Sequence, residues 1–180
     1  MKFFIGIVPP PETKERILKF QRSFHSNKVP YFHEPHITLK APSGLTEDKS
    51  WLSKVTAFAA TYPKFNIAFA GLDGFDDKVL FLTPVFSPVL MNLHMELLSL
   101  LNPAGQNNDK FFEGLTYHPH LTLGETTWGG MTREELVIMR TKAETELQDI
   151  PSFQVDFLRV FQKQNDGEPY HKLLDIPLEI

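Results

Sequence analysis

Pro-His-Ile-Thr-Leu at residues 35–39 returns as Pro-His-Leu-Thr-Leu at residues 119–123, close to half a chain length later. No other feature constrains the fold as strongly. With this composition the pattern Pro-His-x-Thr-Leu is expected about 0.005 times per chain, so two copies would arise by chance about once in 10⁵ such chains. In an extended strand, successive side chains alternate between faces. His36, Thr38 and Lys40 then share one face while Ile37 and Leu39 point into a core; His120, Thr122 and Gly124 share a face opposite Leu121 and Leu123. Each copy offers an imidazole and a hydroxyl side by side on a half-buried strand.

The elements around the two copies repeat as well. Lys2 to Val8 is a short apolar run that predicts a buried strand, and Pro9–Pro11 suit the first turn of a helix over about 11–24, with Ile17, Leu18 and Phe24 inward. After the first copy, Thr46 is placed to cap a helix bearing Trp51, Leu52, Val55, Phe58 and Ala59. The runs Phe65–Leu72 and Val79–Thr83 flank a turn at Asp73–Asp77 and predict a hairpin. Ser87 and Pro88 start a helix whose stripe is Leu90, Leu93, Leu97 and Leu101, and residues 103–109 make a loop before the second copy. Behind it, Thr132 and Glu135 form a capping box for a helix bearing Leu136, Met139, Ala143 and Leu147. A strand over 153–161, a turn at Asn165–Gly167 and a strand over Tyr170–Ile176 close the chain. Both halves run strand, helix, His-x-Thr strand, helix, hairpin. The expectation is an α+β fold, bilobal and duplicated about a pseudo-two-fold, with antiparallel sheets forming a central cleft and helices outside. It forms a single bilobal domain over 1–180, with repeats of about 1–84 and 78–180 and room for strands to be exchanged between the lobes.

Composition narrows the function classes. The chain has no cysteine, which removes disulfides, thiolate nucleophiles and cysteine-type zinc sites. A net charge of −4 argues against broad binding of long nucleic acid, which needs a basic face. The apolar opening Phe3–Val8 is too short for a membrane span or a signal core, so no membrane partner and a cytoplasmic location are expected. A monomer is expected.

Two imidazoles and two hydroxyls facing one another suit a phosphodiester. With an ordinary pKa near 6.5, one histidine can be neutral and the other charged around neutral pH, so a base and an acid can act at opposite ends of a displacement. His36 and His120 are the candidate catalytic pair; Thr38, Thr122 and Lys40 are candidate substrate ligands for the non-bridging oxygens. No metal and no cofactor is called for. His118-x-His120 also presents two imidazoles on one side of a strand, which is the alternative metal-dependent reading. His33 reads as an exposed loop residue near the first copy, and His94, His25 and His171 as surface or helix-edge residues. Tyr31, Phe32, Tyr117 and Trp128 lie near the copies and could stack a base.

The tandem Pro-His-x-Thr-Leu motifs inside a duplicated layout resemble the two-histidine (2H) phosphoesterase superfamily. That group contains bacterial RNA 2′,3′-cyclic phosphodiesterases, also called 2′-5′ RNA ligases. The resemblance spans essentially the whole chain. It implies a bilobal fold, a metal-free site between the lobes, and hydrolysis of cyclic or 2′-5′-linked phosphodiesters of small nucleotides or short RNA ends, leaving a 2′-phosphate. It also implies that His120 activates water and His36 protonates the leaving 3′ oxygen. One departure stands out: many relatives carry an arginine shortly after the second motif, where this chain has Gly124-Glu125. Lys40 is expected to supply the missing positive charge, and Glu125 argues against long RNA. The rival class is a non-catalytic module that keeps the cleft to hold a nucleotide or a protein.

Overall fold

The opening run behaves as its composition requires: β1 (Lys2–Ile7) buries every residue after Lys2, because both of its faces are covered. The computed structural model describes residues 1–106 and 108–179. After β1 come α1 (Pro11–Arg22), α2 (Val29–Phe32), β2 (Ile37–Lys40) and α3 (Leu52–Ala59). Next are β3 (Phe65–Ile67), β4 (Phe69–Phe75), β5 (Val79–Pro84) and α4 (Pro88–Leu101). The second motif opens β6 (Leu121–Glu125), followed by α5 (Arg133–Glu146), β7 (Phe153–Val155), β8 (Phe157–Lys163) and β9 (His171–Pro177).

Local chemistry explains most helix ends. Pro10 and Pro11 supply the fixed φ and the missing N–H that a first turn tolerates, and α1 starts there. The Ser87 hydroxyl accepts from the Leu90 amide, and Thr132 with Glu135 forms both halves of a capping box. Thr46 does not cap a helix. Its hydroxyl bonds to Asp48, which also accepts from the Ser50 amide and hydroxyl, so a local turn wins and α3 begins only at Leu52.

The sheets interleave the two halves of the chain. One has the order β2-β1-β8-β9, a second β4-β5-β6, and β3 pairs with β7 alone; every pairing among these strands is antiparallel. Each of the two larger sheets therefore takes strands from both halves. The run expected as one strand over 65–72 breaks at Ala68, and the run over 153–161 breaks at Asp156. Both breaks let a short first piece join the β3-β7 pair while the rest enters a larger sheet.

A second paired irregularity lies in the motifs themselves. In β2 the register steps between Thr38 and Lys40, leaving Leu39 as an extra residue against β1. In β6 it steps between Thr122 and Gly124, leaving Leu123 extra against β5. Such bulges break the alternation of faces. Leu39 and Leu123 are both fully buried, and with Ile37 and Leu121 they join one core cluster that also holds Ile5, Leu93, Met139 and Leu158. Burying each such side chain contributes about 1.5–3 kcal/mol before entropy is counted.

Candidate active site

The buried residues of the two motifs fix where the others point. With Ile37 and Leu39, and Leu121 and Leu123, committed to the core, His36, Thr38, His120 and Thr122 stay partly exposed on the opposite side. Strands β2 and β6 lie beside one another. Thr38 and His120 line one cavity of about 110 Å³ together with Phe75, Tyr117 and His118. His36 stands close enough that charge on His120 opposes its protonation.

Both imidazoles are clamped in the same way. His36 Nδ1 lies 2.8 Å from the carbonyl of Glu34, and His120 Nδ1 lies 2.7 Å from the carbonyl of His118. A carbonyl only accepts, so Nδ1 carries the proton in both rings and donates it. Nε2 is left as the free nitrogen of each neutral ring, able to take a proton, or to give one once charged.

Each ring also rests on an apolar floor. His36 packs on Phe4 and Phe161 at centroid distances of 4.7 and 5.4 Å, and His120 on Phe75 and Phe81 at 5.0 and 4.9 Å. Gly6 lies under His36, where an added Cβ would come within 2.9 Å of the Ile37 carbonyl and 3.4 Å of His36 Cδ2. Only glycine allows that approach. Burial penalises the charged ring, so His36 is pushed down to about 4, and the nearby His120 adds to the effect. His120 is held below its ordinary value, again mainly by burial.

His33, expected as an exposed loop residue, is instead part of this cluster. Its ring meets His36 edge-on at 4.7 Å and Trp128 at 5.3 Å, and Nδ1 is buried without a partner. Burial, followed by repulsion from His36, pushes it down to about 3. Linkage gives the sign: the unfolded chain binds these protons from about pH 6.5 downward while the fold refuses them, so stability falls as pH drops from about 6.5 toward about 3. Thermal melting across that range is expected to show a falling Tm. His33→Phe, which fills the same aromatic niche without a titratable group, should reduce the dependence to the part that His36 contributes.

Lys40 requires correction. The bulge at Leu39 turns it away from the histidine face, and its side chain is 0% exposed. Its Nζ donates to Glu113 at 2.7 Å, to Ser43 Oγ at 2.7 Å and to the Ala41 carbonyl at 2.8 Å. Every proton of that ammonium is used inside the protein, leaving none for a substrate. Glu125 is also withdrawn: its carboxylate accepts from the Trp128 amide and the Thr127 hydroxyl, tying down the loop behind β6. Its charge therefore gives no ground for excluding long RNA.

His94 is neither surface nor helix edge. It is fully buried, donates from Nδ1 to the Leu39 carbonyl at 2.7 Å, accepts at Nε2 from the Gly114 amide at 2.8 Å, and stacks on Tyr117 at 3.7 Å. The Tyr117 hydroxyl donates to the Thr38 carbonyl at 2.8 Å, so this stacked pair holds both sides of the β2 bulge. A sequence signal for it exists: His94 lies one turn after Leu90 on the α4 stripe. His25 and His171 are exposed as expected; Tyr31 and Trp128 are exposed too, although aromatic residues in this chain are more often core. Among the described residues, no three His, Asp or Glu side chains gather as a set able to hold a metal, which leaves His118 and His120 without a third ligand. Also among the described residues, no helix is long and apolar enough to cross a membrane.

The fold is shared by known structures. TT0787 of Thermus thermophilus superposes with a TM-score of 0.66 at 16% identity, over 99% of this chain and 98% of that one. LigT of E. coli in its apo form does so with a TM-score of 0.61 at 17% identity, over 99% and 98%. A third neighbour is a structure described as a phosphoesterase, with a TM-score of 0.60 at 19% identity, over 99% of each chain. At these identities the likeness speaks to the fold. No curated protein matches the chain in sequence. A family model does, over residues 9–167, and its description supports a phosphoesterase- or ligase-type activity. Matched over that length, and carrying both His-x-Thr strands in the same clamped geometry, the chain belongs to the 2′-5′ RNA ligase superfamily.

Proposed function

We propose that the protein is a metal-independent phosphodiesterase that opens 2′,3′-cyclic phosphates of small nucleotides or short RNA ends to 2′-phosphates, in a single bilobal domain. The observation that carries the reading is the matched pair of clamps, which leaves one Nε2 for chemistry on each of His36 and His120, with His120 and Thr38 lining one cavity and His36 close enough to feel the charge of His120. LigT of E. coli has been crystallised with 3′-AMP and with NADP+, which supports a small nucleotide as ligand.

In the proposed reaction a water oxygen attacks phosphorus in line with the 3′ oxygen. One imidazole takes the water proton at Nε2; the other, protonated, gives its Nε2 proton to the departing 3′ oxygen. The P–O3′ bond breaks, a P–O bond to the former water forms, and a 2′-phosphomonoester with a free 3′ hydroxyl results. Thr38 and Thr122 hydroxyls donate to the non-bridging oxygens, where charge gathers in the transition state. By family likeness His120 is the base and His36 the acid. The phosphodiester's negative charge offsets the burial that keeps His36 neutral in the free protein.

The pH dependence of kcat/KM reports the free enzyme's two imidazoles as a pair. With His36 near 4 and His120 below its ordinary value, a bell with its maximum between about pH 4 and 6.5 is expected on a 2′,3′-cyclic nucleotide. A profile flat from pH 4 to 8 removes the paired roles. Activity lost in EDTA and restored by zinc or manganese turns the reading toward the His118–His120 metal alternative. Tight binding with no turnover identifies the non-catalytic module.

A further inference from the structure

Glu34 supplies the carbonyl that clamps His36, and its side chain sits in a chain of ion pairs that nothing in the motif itself requires. Arg159 Nη1 donates to Glu34 Oε1 at 2.6 Å, and Lys14 Nζ donates to Glu34 Oε2 at 2.7 Å. The same guanidinium grips Asp175 with both Nε and Nη2, at 2.7 and 2.8 Å. The Arg159 side chain is only 11% exposed, so these bonds are shielded from the solvent that weakens surface pairs. Strand register puts Thr38, Gly6, Arg159 and Asp175 opposite one another across β2, β1, β8 and β9. Residues directly opposed across a ladder share a face. Arg159 therefore stands on the face that carries His36, beyond the one position, Gly6, that has no side chain.

We propose that Arg159 is a positioning residue for His36, acting through Glu34. Asp175 fixes the guanidinium in its plane, the guanidinium fixes the Glu34 carboxylate, and the Glu34 peptide then presents its carbonyl to His36 Nδ1–H. Planar, two-toothed pairing of this kind sets direction as well as strength. The second motif is supported differently: the residue two before His120 is His118, whose ring leans on Phe75 and Phe81 and which, among the described residues, has no such ion-pair chain. Loss of Arg159 should disturb His36 and spare His120. The inference rests on the reading of His36 as a proton-transfer group at Nε2, and is tested partly without it.

Arg159→Met keeps the aliphatic stem and removes the fork. Nitrogen-15 NMR of the histidine rings in the free protein should show His36 as the Nδ1–H tautomer in the wild type and as a mixture of tautomers in Arg159→Met, with His120 unchanged. That readout needs no substrate, so it separates this proposal from the proposed activity. On a 2′,3′-cyclic nucleotide, kcat should fall about 10- to 100-fold with KM within about twofold, the pattern of a misplaced rather than a missing group. Arg159→Lys, able to reach only one carboxylate at a time, should recover part of the loss. Should Arg159→Met fail to fold, Asp175→Asn, which keeps the arginine and weakens its grip, should show the same tautomer change to a smaller degree. A folded variant of either kind with an unaltered His36 spectrum, or one in which His36 and His120 shift alike, overturns the proposal.

Discussion

Replacing either His36 or His120 with alanine is expected to lower kcat/KM on a 2′,3′-cyclic nucleotide by about 10²- to 10⁴-fold, with the protein still melting cooperatively. The rate effect follows from the clamps. With Nδ1 spent on a backbone carbonyl, each ring has one nitrogen for chemistry, and His33, the imidazole that meets His36, is pushed down to about 3 and is a poor substitute. The stability effect is small because each ring is partly exposed and is kept neutral by burial. Removing it orphans one carbonyl and no charge. A pair that acts as a unit is not additive, so the double variant should cost little more than the worse single one. Steady-state kinetics beside thermal melting checks all three statements, and wild-type rates in both single variants would refute the pairing.

Glu113→Ala should be the most damaging substitution to the fold outside the hydrophobic core. Glu113 accepts from Lys40 Nζ, from the Ala41 amide at 2.9 Å and from the Ser43 hydroxyl. Without it the Lys40 ammonium stays sealed in the protein with no counter-charge. Breaking one side of a buried pair costs about 3–5 kcal/mol. For a chain of this size that is a fall in Tm of about 10 °C. Burial already holds Lys40 below its ordinary value even with Glu113 present, so in the variant the fold favours the neutral amine and stability should recover at alkaline pH. Lys40→Met with Glu113→Leu, which replaces the pair by apolar groups of similar size, should restore most of the loss. Urea midpoints of the three proteins decide it, and equal midpoints for Glu113→Ala and the wild type would contradict the account.

The pair at 40 and 113 also shows where sequence reading stops. Alternation of faces along Pro-His-Ile-Thr-Leu-Lys places His36 and Thr38 correctly, since Ile37 has one place to go, the core. It misplaces Lys40 because a bulge at Leu39 inserts an extra buried residue, and a leucine in a strand looks the same bulged or paired. The repeat of that bulge at Leu123 is hidden for the same reason. Helix starts at Ser87 and Thr132 are legible because each cap is a contact within four residues. Thr46 offers the same local signal, but Asp48 is the nearer partner. The pairing of β3 with β7, and the exchange of strands between sheets, depends on contacts almost ninety residues apart and leaves only breaks at Ala68 and Asp156 as a trace. His33 and Tyr117 escape local patterns because their surroundings are built by distant segments. Arg159, which no pattern near either motif points to, reaches Glu34 across 125 positions of chain.

The central claim is that two histidines from distant strands act on one phosphorus atom. Phosphorus NMR of a 2′,3′-cyclic nucleotide incubated with the protein tests it most directly. The account predicts a single new resonance from the 2′-phosphomonoester, growing with wild-type protein and all but absent with His36→Ala or His120→Ala. A cyclic resonance that shifts on binding yet never converts would contradict it, as would conversion that proceeds equally well in either variant.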